Sequence, residues 1–227
     1  MIIDVITIFP NFFDNFLNES IIKRALKEEH VTINIHNLRD YTNYSNQQVD
    51  DAPYGGGGGM VLMIEPIANA IKALKKQHTK VILLSPQGEV LKQSKVESLA
   101  KEQHLILLCG HYEGFDERIL QMVDIELSIG DYVLTGGEIP AQVVIDSITR
   151  LIPGVIKKTS HLQESFNNNL LDYPTYTKPR DFNGKQVPEV LLSGDHAKIK
   201  AYREKQAKQN TKLKRPDLWR KYEEVQD

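Results

Sequence analysis

The sequence predicts an α/β fold with a mostly parallel sheet, followed by a small helical C-terminal domain. Three observations predict it. Apolar runs of strand length recur at residues 2–8, 31–36, 81–84, 105–109 and 125–129, as in strands buried on both faces. Helical patterns alternate with them, at residues 12–29, 64–76, 91–101, 116–123 and 138–151. Charge is divided unevenly: residues 1–174 carry 15 basic against 22 acidic side chains, and residues 175–222 carry 13 against 5.

Taken in order, the opening Met1-Ile2-Ile3-Asp4-Val5-Ile6-Thr7-Ile8 lacks a basic leader and a cleavage site, so it reads as a strand rather than a signal peptide. Strands and helices then alternate until Pro153-Gly154 stops the helix over 138–151. Residues 157–176 contain Ser160-His161, three consecutive asparagines (Asn167, Asn168, Asn169) and Pro174, and read as a long polar connector. Gly194-Asp195 opens a helix over 197–209 that carries Lys198, Lys200, Arg203, Lys205 and Lys208, and a second short helix follows Pro216. The expected division is a domain at 1–156, a flexible linker at 157–176 and a basic helical domain at 177–227. A basic unit of this kind is either a contact surface for a phosphate backbone or a solvated helical face.

At 227 residues, with 41% hydrophobic and 26% charged side chains, the chain is long enough and apolar enough to bury a real core. One cysteine, Cys109, excludes a disulfide framework and a zinc–cysteine cluster, suits a reducing cytosol, and is most simply a core residue. No apolar run approaches membrane-spanning length, so a cytoplasmic protein with no membrane partner is expected. Neither G-x-x-x-x-G-K-[ST] nor G-x-G-x-x-G after the first strand is present, and the five glycines at 55–59 lack the lysine of a phosphate loop. Flanked by Asp50-Asp51-Ala52-Pro53-Tyr54 and Met60-Val61-Leu62-Met63, that run reads as a flexible linker or as a shaped loop facing a ligand or a partner subunit.

Three glycine-bearing loops follow predicted strands: Leu84-Ser85-Pro86-Gln87-Gly88, Gly110-His111-Tyr112-Glu113-Gly114, and Ser128-Ile129-Gly130-Asp131-Tyr132-Val133-Leu134-Thr135-Gly136-Gly137-Glu138-Ile139-Pro140. In open α/β sheets the ligand crevice lies outside the carboxyl ends of the strands, and glycine lets backbone come close to a flat ligand. One such loop would be a turn; three favour a small-molecule site.

With Asp51-Ala52-Pro53-Tyr54-Gly55-Gly56-Gly57 before them, these blocks closely resemble the bacterial tRNA (guanine-N1)-methyltransferase family, TrmD, of the SPOUT superfamily. Further matches are Arg150-Leu151-Ile152-Pro153-Gly154-Val155, Leu170-Leu171-Asp172-Tyr173-Pro174, Val190-Leu191-Leu192-Ser193-Gly194 and Arg215-Pro216-Asp217-Leu218, so the resemblance spans almost the whole chain in unbroken order. It implies a SPOUT-type α/β domain with a deep trefoil knot, a homodimer, and methylation of guanine 37 at N1 in tRNA. It also implies S-adenosylmethionine as donor, with Mg2+ as a family companion and no metal-ligand cluster in this sequence. The donor-binding residues carried over are Leu84, Ser85, Pro86, Gln87, Gly88, Gly110, Tyr112, Glu113, Gly114, Ser128, Ile129, Gly130, Asp131, Tyr132, Val133, Leu134, Gly136, Gly137 and Pro140. The helical C-terminal unit is expected to grip tRNA, across a linker that orders when tRNA binds.

Guanine N1 carries a proton at neutral pH, so methylation there needs a base and a cation to receive charge at O6. The resemblance assigns the cation to Arg150, whose planar fork suits O6 better than a lysine. The base departs from the family: Gln163-Glu164-Ser165-Phe166 stands where the family has an Asp-Ser-Phe context, so the carboxylate is Glu164. Its ordinary pKa of about 4.3 against about 3.9 for aspartate preserves the proton chemistry, while the extra methylene alters reach, which a linker one residue shorter could offset. Asp172 and Glu113 are the other candidate carboxylates. His111 reads as a loop histidine, His161 as an RNA contact or a solvated side chain, and Trp219 and Tyr222 as stacking or helix-packing rings. Three rivals are carried: a related knotted methyltransferase with another RNA target, a nucleotide hydrolase using the glycine run, and a tRNA-binding protein whose catalysis is weakened or lost because Glu164 replaces the aspartate.

Overall fold

Ile3 and Val5 point to one side of strand β1 (Ile2–Thr7), and Asp4 and Ile6 to the other, as the two-residue period of a strand requires. The computed structural model describes residues 1–156 and 164–225. Contacts divide the chain into two compact units, Met1–Ile156 and Lys157–Asp227. The connector reading at 157–163, including His161 and Gln163, falls outside the described residues.

In the first unit β1 is joined by β2 (Thr32–Asn37), β5 (Thr79–Val90), β6 (His104–Cys109) and β7 (Ile125–Ser128) in one parallel sheet of order β2-β1-β6-β5-β7. Apolar residues cover both faces, which is why the strands read as continuous runs. One face packs Ile3, Val5, Leu105 and Leu107 against α2 (Ser20–Lys27), α4 (Gln93–Leu99) and α5 (Glu138–Thr149). The other packs Ile6, Val81, Leu83, Ile106 and Leu108 against α3 (Ile64–Leu74) and Ile119. Cys109 is 3% exposed, and burial pushes its thiol well above the ordinary range, so it packs in the core rather than acting as a nucleophile.

Several boundaries differ from those expected. The helix expected over 12–29 is a 3₁₀ turn (Pro10–Phe13), a short α1 (Asp14–Leu17) and then α2. The break falls where Asn18 Nδ2 donates to the Asp14 carbonyl at 2.8 Å and Ser20 takes a left-handed φ of 52°. The helix expected over 116–123 is a 3₁₀ segment, Glu117–Met122, whose first turn is capped by the Asp116 carboxylate accepting from Arg118 N–H. Strand β5 runs well past Leu84. It pairs Leu84 with Leu127, leaves the ladder, and returns to pair Glu89 with the same Leu127, so residues 85–88 leave the ladder between the two pairings.

A buried polar chain lies at the α3 face. Asp4 Oδ2 accepts from His104 Nε2 at 2.6 Å, and Asp4 Oδ1 contacts Asn34 Nδ2 at 2.8 Å and His36 Nε2 at 3.0 Å. Thr79 Oγ1 accepts from Lys76 N–H at 2.7 Å and lies 2.6 Å from His104 Nδ1, so its hydroxyl proton points to that nitrogen and the His104 proton sits on Nε2. Register creates the cluster, because Asp4 lies opposite Asn34 and Thr79 opposite His104.

The second unit holds a short hairpin, β8 (Asp181–Phe182) and β9 (Lys185–Gln186), then α6 (His196–Lys214) and α7 (Pro216–Glu224). The Asp195 carboxylate caps α6, accepting from Ala197 and Lys198 N–H at 3.1 Å each. The helix expected over 197–209 therefore starts one residue earlier, and it continues to Lys214.

Burial alone would raise the Asp4 carboxyl, and the hydrogen bonds from His36, Asn34 and His104 outweigh it, holding the group below the usual aspartate range. A lowered carboxyl stabilises the fold above its unfolded pKa of about 3.9, and that stability is lost as pH falls through the lower folded value. Asp4→Asn is expected to lower unfolding free energy at neutral pH by roughly 1–3 kcal/mol, because an amide in place of the carboxylate leaves a buried donor unpaired. Denaturant melts at neutral pH and through the acid range should show the variant and wild type converging as pH falls.

Candidate functional site

Parallel strands release their following loops at one edge of the sheet, and three of those loops here enclose a cavity of about 390 Å3. The β5 excursion supplies Ser85, Pro86 and Gln87; the loop after β6 supplies Gly110 to Gly114; the long loop after β7 supplies residues up to Pro140. Every residue of the donor-binding set expected from the resemblance lines this cavity except Gly88 and Asp131. Gly88 has a packing role instead. A Cβ there would lie 2.3 Å from Leu127 N and 2.4 Å from the Glu126 carbonyl carbon, so only glycine lets the strand rejoin β7.

The loop after β7 crosses to the end of β6, although β5 lies between those strands. Gly137 N–H donates to the Gly110 carbonyl at 2.8 Å, and Gly136 forms an antiparallel bridge with His111. A Cβ on Gly137 would sit 2.6 Å from Cys109 Cα and 2.7 Å from Gly110 N, both backbone atoms that cannot swing aside. Ser128 fixes the start of the same loop, its Oγ bonding both the N–H and the carbonyl of Gly130 at 3.1 Å.

The cavity is acidic. Glu113, Asp116, Glu117 and Glu126 line it, and among the described residues no lysine or arginine does. Asp116 is paired with Arg118 at 2.6 and 2.8 Å, and that guanidinium holds its carboxyl below the usual range. Asp116, Glu117, Ile119 and Leu120, on or beside the 3₁₀ segment, and Glu126 on β7 are lining residues that the motifs did not point to. The glycine run lies between β3 (Asp50–Asp51) and β4 (Val61–Leu62), and its exit is tied to the cavity: Glu113 N–H donates to the Met60 carbonyl at 3.0 Å and Leu62 N–H to the Gly114 carbonyl at 2.9 Å.

The two catalytic candidates belong to different units. Arg150 caps the end of α5 in the first. Glu164 is half-buried in the second, where it lines a separate cleft of about 800 Å3 with Asp172, Tyr173, Lys200, Arg203 and Lys208. Asp172 is therefore a neighbour of Glu164 in that cleft, and Glu113 belongs to the first cavity. The cleft is held by Thr211 on α6, fully buried, whose Oγ1 accepts from Leu171 N–H at 2.8 Å. Trp219 and Tyr222 stack on one another at 5.4 Å, with Lys212 and Lys208 over their rings at 5.6 and 5.5 Å, so both are engaged in packing α7 on α6.

A parallel sheet with a cavity at its carboxyl edge defines a ligand-binding α/β domain, and comparison with known proteins gives the family. The family model described as tRNA (Guanine-1)-methyltransferase TrmD matches residues 1–221, and the chain belongs to that family. Relatives bearing the name tRNA (guanine-N(1)-)-methyltransferase include those of Aster yellows witches'-broom phytoplasma, 55% identical over 96% of this chain and 90% of the relative, and Ruminiclostridium cellulolyticum, 54% identical over 96% of each. A third, from Malacoplasma penetrans, is 53% identical over 98% of each. The parallel five-stranded sheet with its helices agrees with the SPOUT fold of the family.

Gly137→Ala is expected to destabilise the protein by roughly 1–3 kcal/mol and to weaken ligand binding in the cavity, since the overlap is with backbone. Gly58→Ala, which meets nothing within 4 Å, is the control and should leave both unchanged. Thermal melts and ligand titrations of the two variants check this.

Proposed function

We propose that this chain transfers a methyl group from S-adenosylmethionine to N1 of guanine 37 in tRNA, beside the anticodon. The observation that carries the reading is the acidic cavity at the carboxyl edge of the sheet. A polyphosphate cofactor would be repelled by Glu113, Glu117 and Glu126, whereas a donor bearing a sulfonium and an ammonium group suits carboxylates unopposed by lysine or arginine. The glycine-bearing loops give its flat adenine close backbone contact.

The donor supplies an electrophilic methyl carbon, so the chain's own task is to prepare the nucleophile. Glu164 takes the N1 proton, and the N1 electron pair then forms the new bond to carbon while the carbon–sulfur pair returns to sulfur. Arg150 donates to guanine O6, where negative charge gathers as the proton leaves. Glu164 and Arg150 belong to different units. The donor-binding set is the three-loop series, Gly88 and Asp131 included.

The deep trefoil knot, the homodimer and the cytoplasmic setting are parts of the same proposal. The dimer is supported by Phe12, Tyr132, Val133, Ile139 and Val143, apolar side chains left exposed in the donor-binding unit. Among the described residues no helix is long and apolar enough to cross a membrane. Mg2+ is proposed as a companion of the tRNA phosphates, since among the described residues no three His, Cys, Asp or Glu side chains gather to hold an ion. The domains are the donor-binding unit at 1–156, a linker at 157–176 and a tRNA-gripping unit at 177–227.

The test is incubation of the protein with labelled S-adenosylmethionine, magnesium and a tRNA transcript with guanine at 36 and 37, followed by nucleoside analysis. N1-methylguanosine is expected, and it should vanish when guanine 37 is replaced. Glu164→Gln should lower single-turnover methyl transfer by about 100-fold or more with donor affinity unchanged. An unchanged rate would remove Glu164 from the mechanism, and donor binding without any product in wild type would favour a tRNA-binding protein with lost catalysis.

A further inference from the structure

Glu164 opens a turn that folds back on itself. Phe166 N–H donates to the Leu170 carbonyl at 2.7 Å, and Asp172 N–H donates to Ser165 Oγ at 3.1 Å, so the residue after Glu164 is fastened to the far end of the turn. Between these bonds Phe166, Asn168 and Asn169 have left-handed backbones, with φ of 74°, 51° and 59°. Asparagine adopts that conformation readily, whereas a bulky residue such as phenylalanine seldom does. Packing of the ring does not account for it, since Phe166 is 48% exposed. An uncommon backbone of this kind persists where neighbouring contacts over-determine it, and such places gather at functional sites.

The far end of the turn is anchored to α6. The Asp172 carbonyl accepts from Asn210 Nδ2 at 3.2 Å, and Leu171 N–H donates to Thr211 Oγ1 at 2.8 Å. Thr211 is fully buried and its hydroxyl donates in turn to the Ala207 carbonyl at 2.7 Å, which fixes the anchor. Asp172 is therefore a bridge: its N–H holds Ser165, and its carbonyl is held by Asn210. Its carboxylate serves the same loop, Oδ1 accepting from Tyr173 N–H at 2.7 Å, although the sequence offered Asp172 as an alternative base. Ser165 Oγ is the side-chain atom that completes this path from the helix to the residue beside Glu164.

We infer that Ser165 is a positioning residue for methyl transfer: by accepting from Asp172 it holds the turn on α6 in the arrangement that presents the Glu164 carboxylate to its cleft. The inference rests on Glu164 being the base. Ser165 itself moves no proton. Without its Oγ, Phe166 is released toward an ordinary backbone conformation, which turns the peptide after Glu164 and carries the carboxylate out of line.

The test is single-turnover methyl transfer by the full chain, at saturating S-adenosylmethionine and tRNA transcript, for Ser165→Ala in two backgrounds. In wild type the rate should fall by about tenfold or more, the effect of a small misplacement of a reacting group, with the affinities for tRNA and donor unchanged. Ser165→Thr keeps the hydroxyl and should restore most of the rate. In Glu164→Gln there is no carboxylate left to place, so Ser165→Ala should lower the residual rate little further. The same loss in both backgrounds would overturn the assignment, as would a saturating rate unchanged in wild type; a slow Glu164→Gln would in either case leave the base reading intact. Glu164→Gln at the wild-type rate would overturn both. Asn210→Ala removes the bond on the other side of Asp172 and reads the same coupling if Ser165→Ala does not fold.

Discussion

The first unit depends on one backbone contact, Gly137 N–H to the Gly110 carbonyl. Strands β6 and β7 are not neighbours, so the loop that leaves β7 must pass the end of β5 to reach β6. It can dock there only because Gly137 has no side chain to collide with Cys109 and Gly110. That docking brings the second and third loops together, starts α5 at Glu138, and places Gly136 against His111. The β5 excursion completes the wall from the other side, and Gly88 provides the close approach that brings it back to β7. The cavity is thus made from backbone first, and side chains decorate a shape already fixed.

The opposite requirement is met by the polar chain of Asp4, His36, His104 and Thr79. In a parallel sheet apolar on both faces, many registers bury similar amounts of aliphatic surface. A buried carboxylate that must meet Asn34, His36 and His104 together is satisfied in one register only. Fixing the register of β1, β2 and β6 fixes where each strand ends, and so which residue begins each loop. Asp4 does not contact the cavity, yet the alignment of Gly110 with its partners depends on strand positions that Asp4 helps to set.

Much of this was legible in the sequence, for identifiable reasons. The five long strands were readable because both faces are buried, so each is an apolar run. The three loop motifs were readable because glycine is rare enough within such runs to mark their ends. The break in the first helical region was not, since Asn18 and Ser20 interrupt an apolar period that continues across them, and only the backbone shows Ser20 in a left-handed conformation. Gly88 was read as a ligand contact, whereas its side of the loop is occupied by β7; spacing alone cannot distinguish a glycine that faces a ligand from one that faces a neighbouring strand. Glu126 escaped because a strand residue becomes a cavity residue only through what the adjacent loop leaves uncovered.

The division of labour between the units bears on the glutamate at position 164. The cavity, its three loops and Arg150 all belong to residues 1–156. Glu164 belongs to a segment tied by Leu171 to Thr211, and by Asp172 to Asn210, on a helix of the C-terminal unit. On the proposed function, the reach of the carboxylate is set by how that unit is seated on its substrate as well as by the length of its own side chain. A base fixed to the same sheet as the donor would tolerate an added methylene poorly, since proton transfer needs a heavy-atom separation of about 2.6–3.2 Å. A base carried on a unit that docks with the substrate can absorb that change in the docking. On the same proposal, catalysis waits until the C-terminal unit has engaged the RNA, so that binding energy from contacts remote from guanine is spent on assembling the reacting groups.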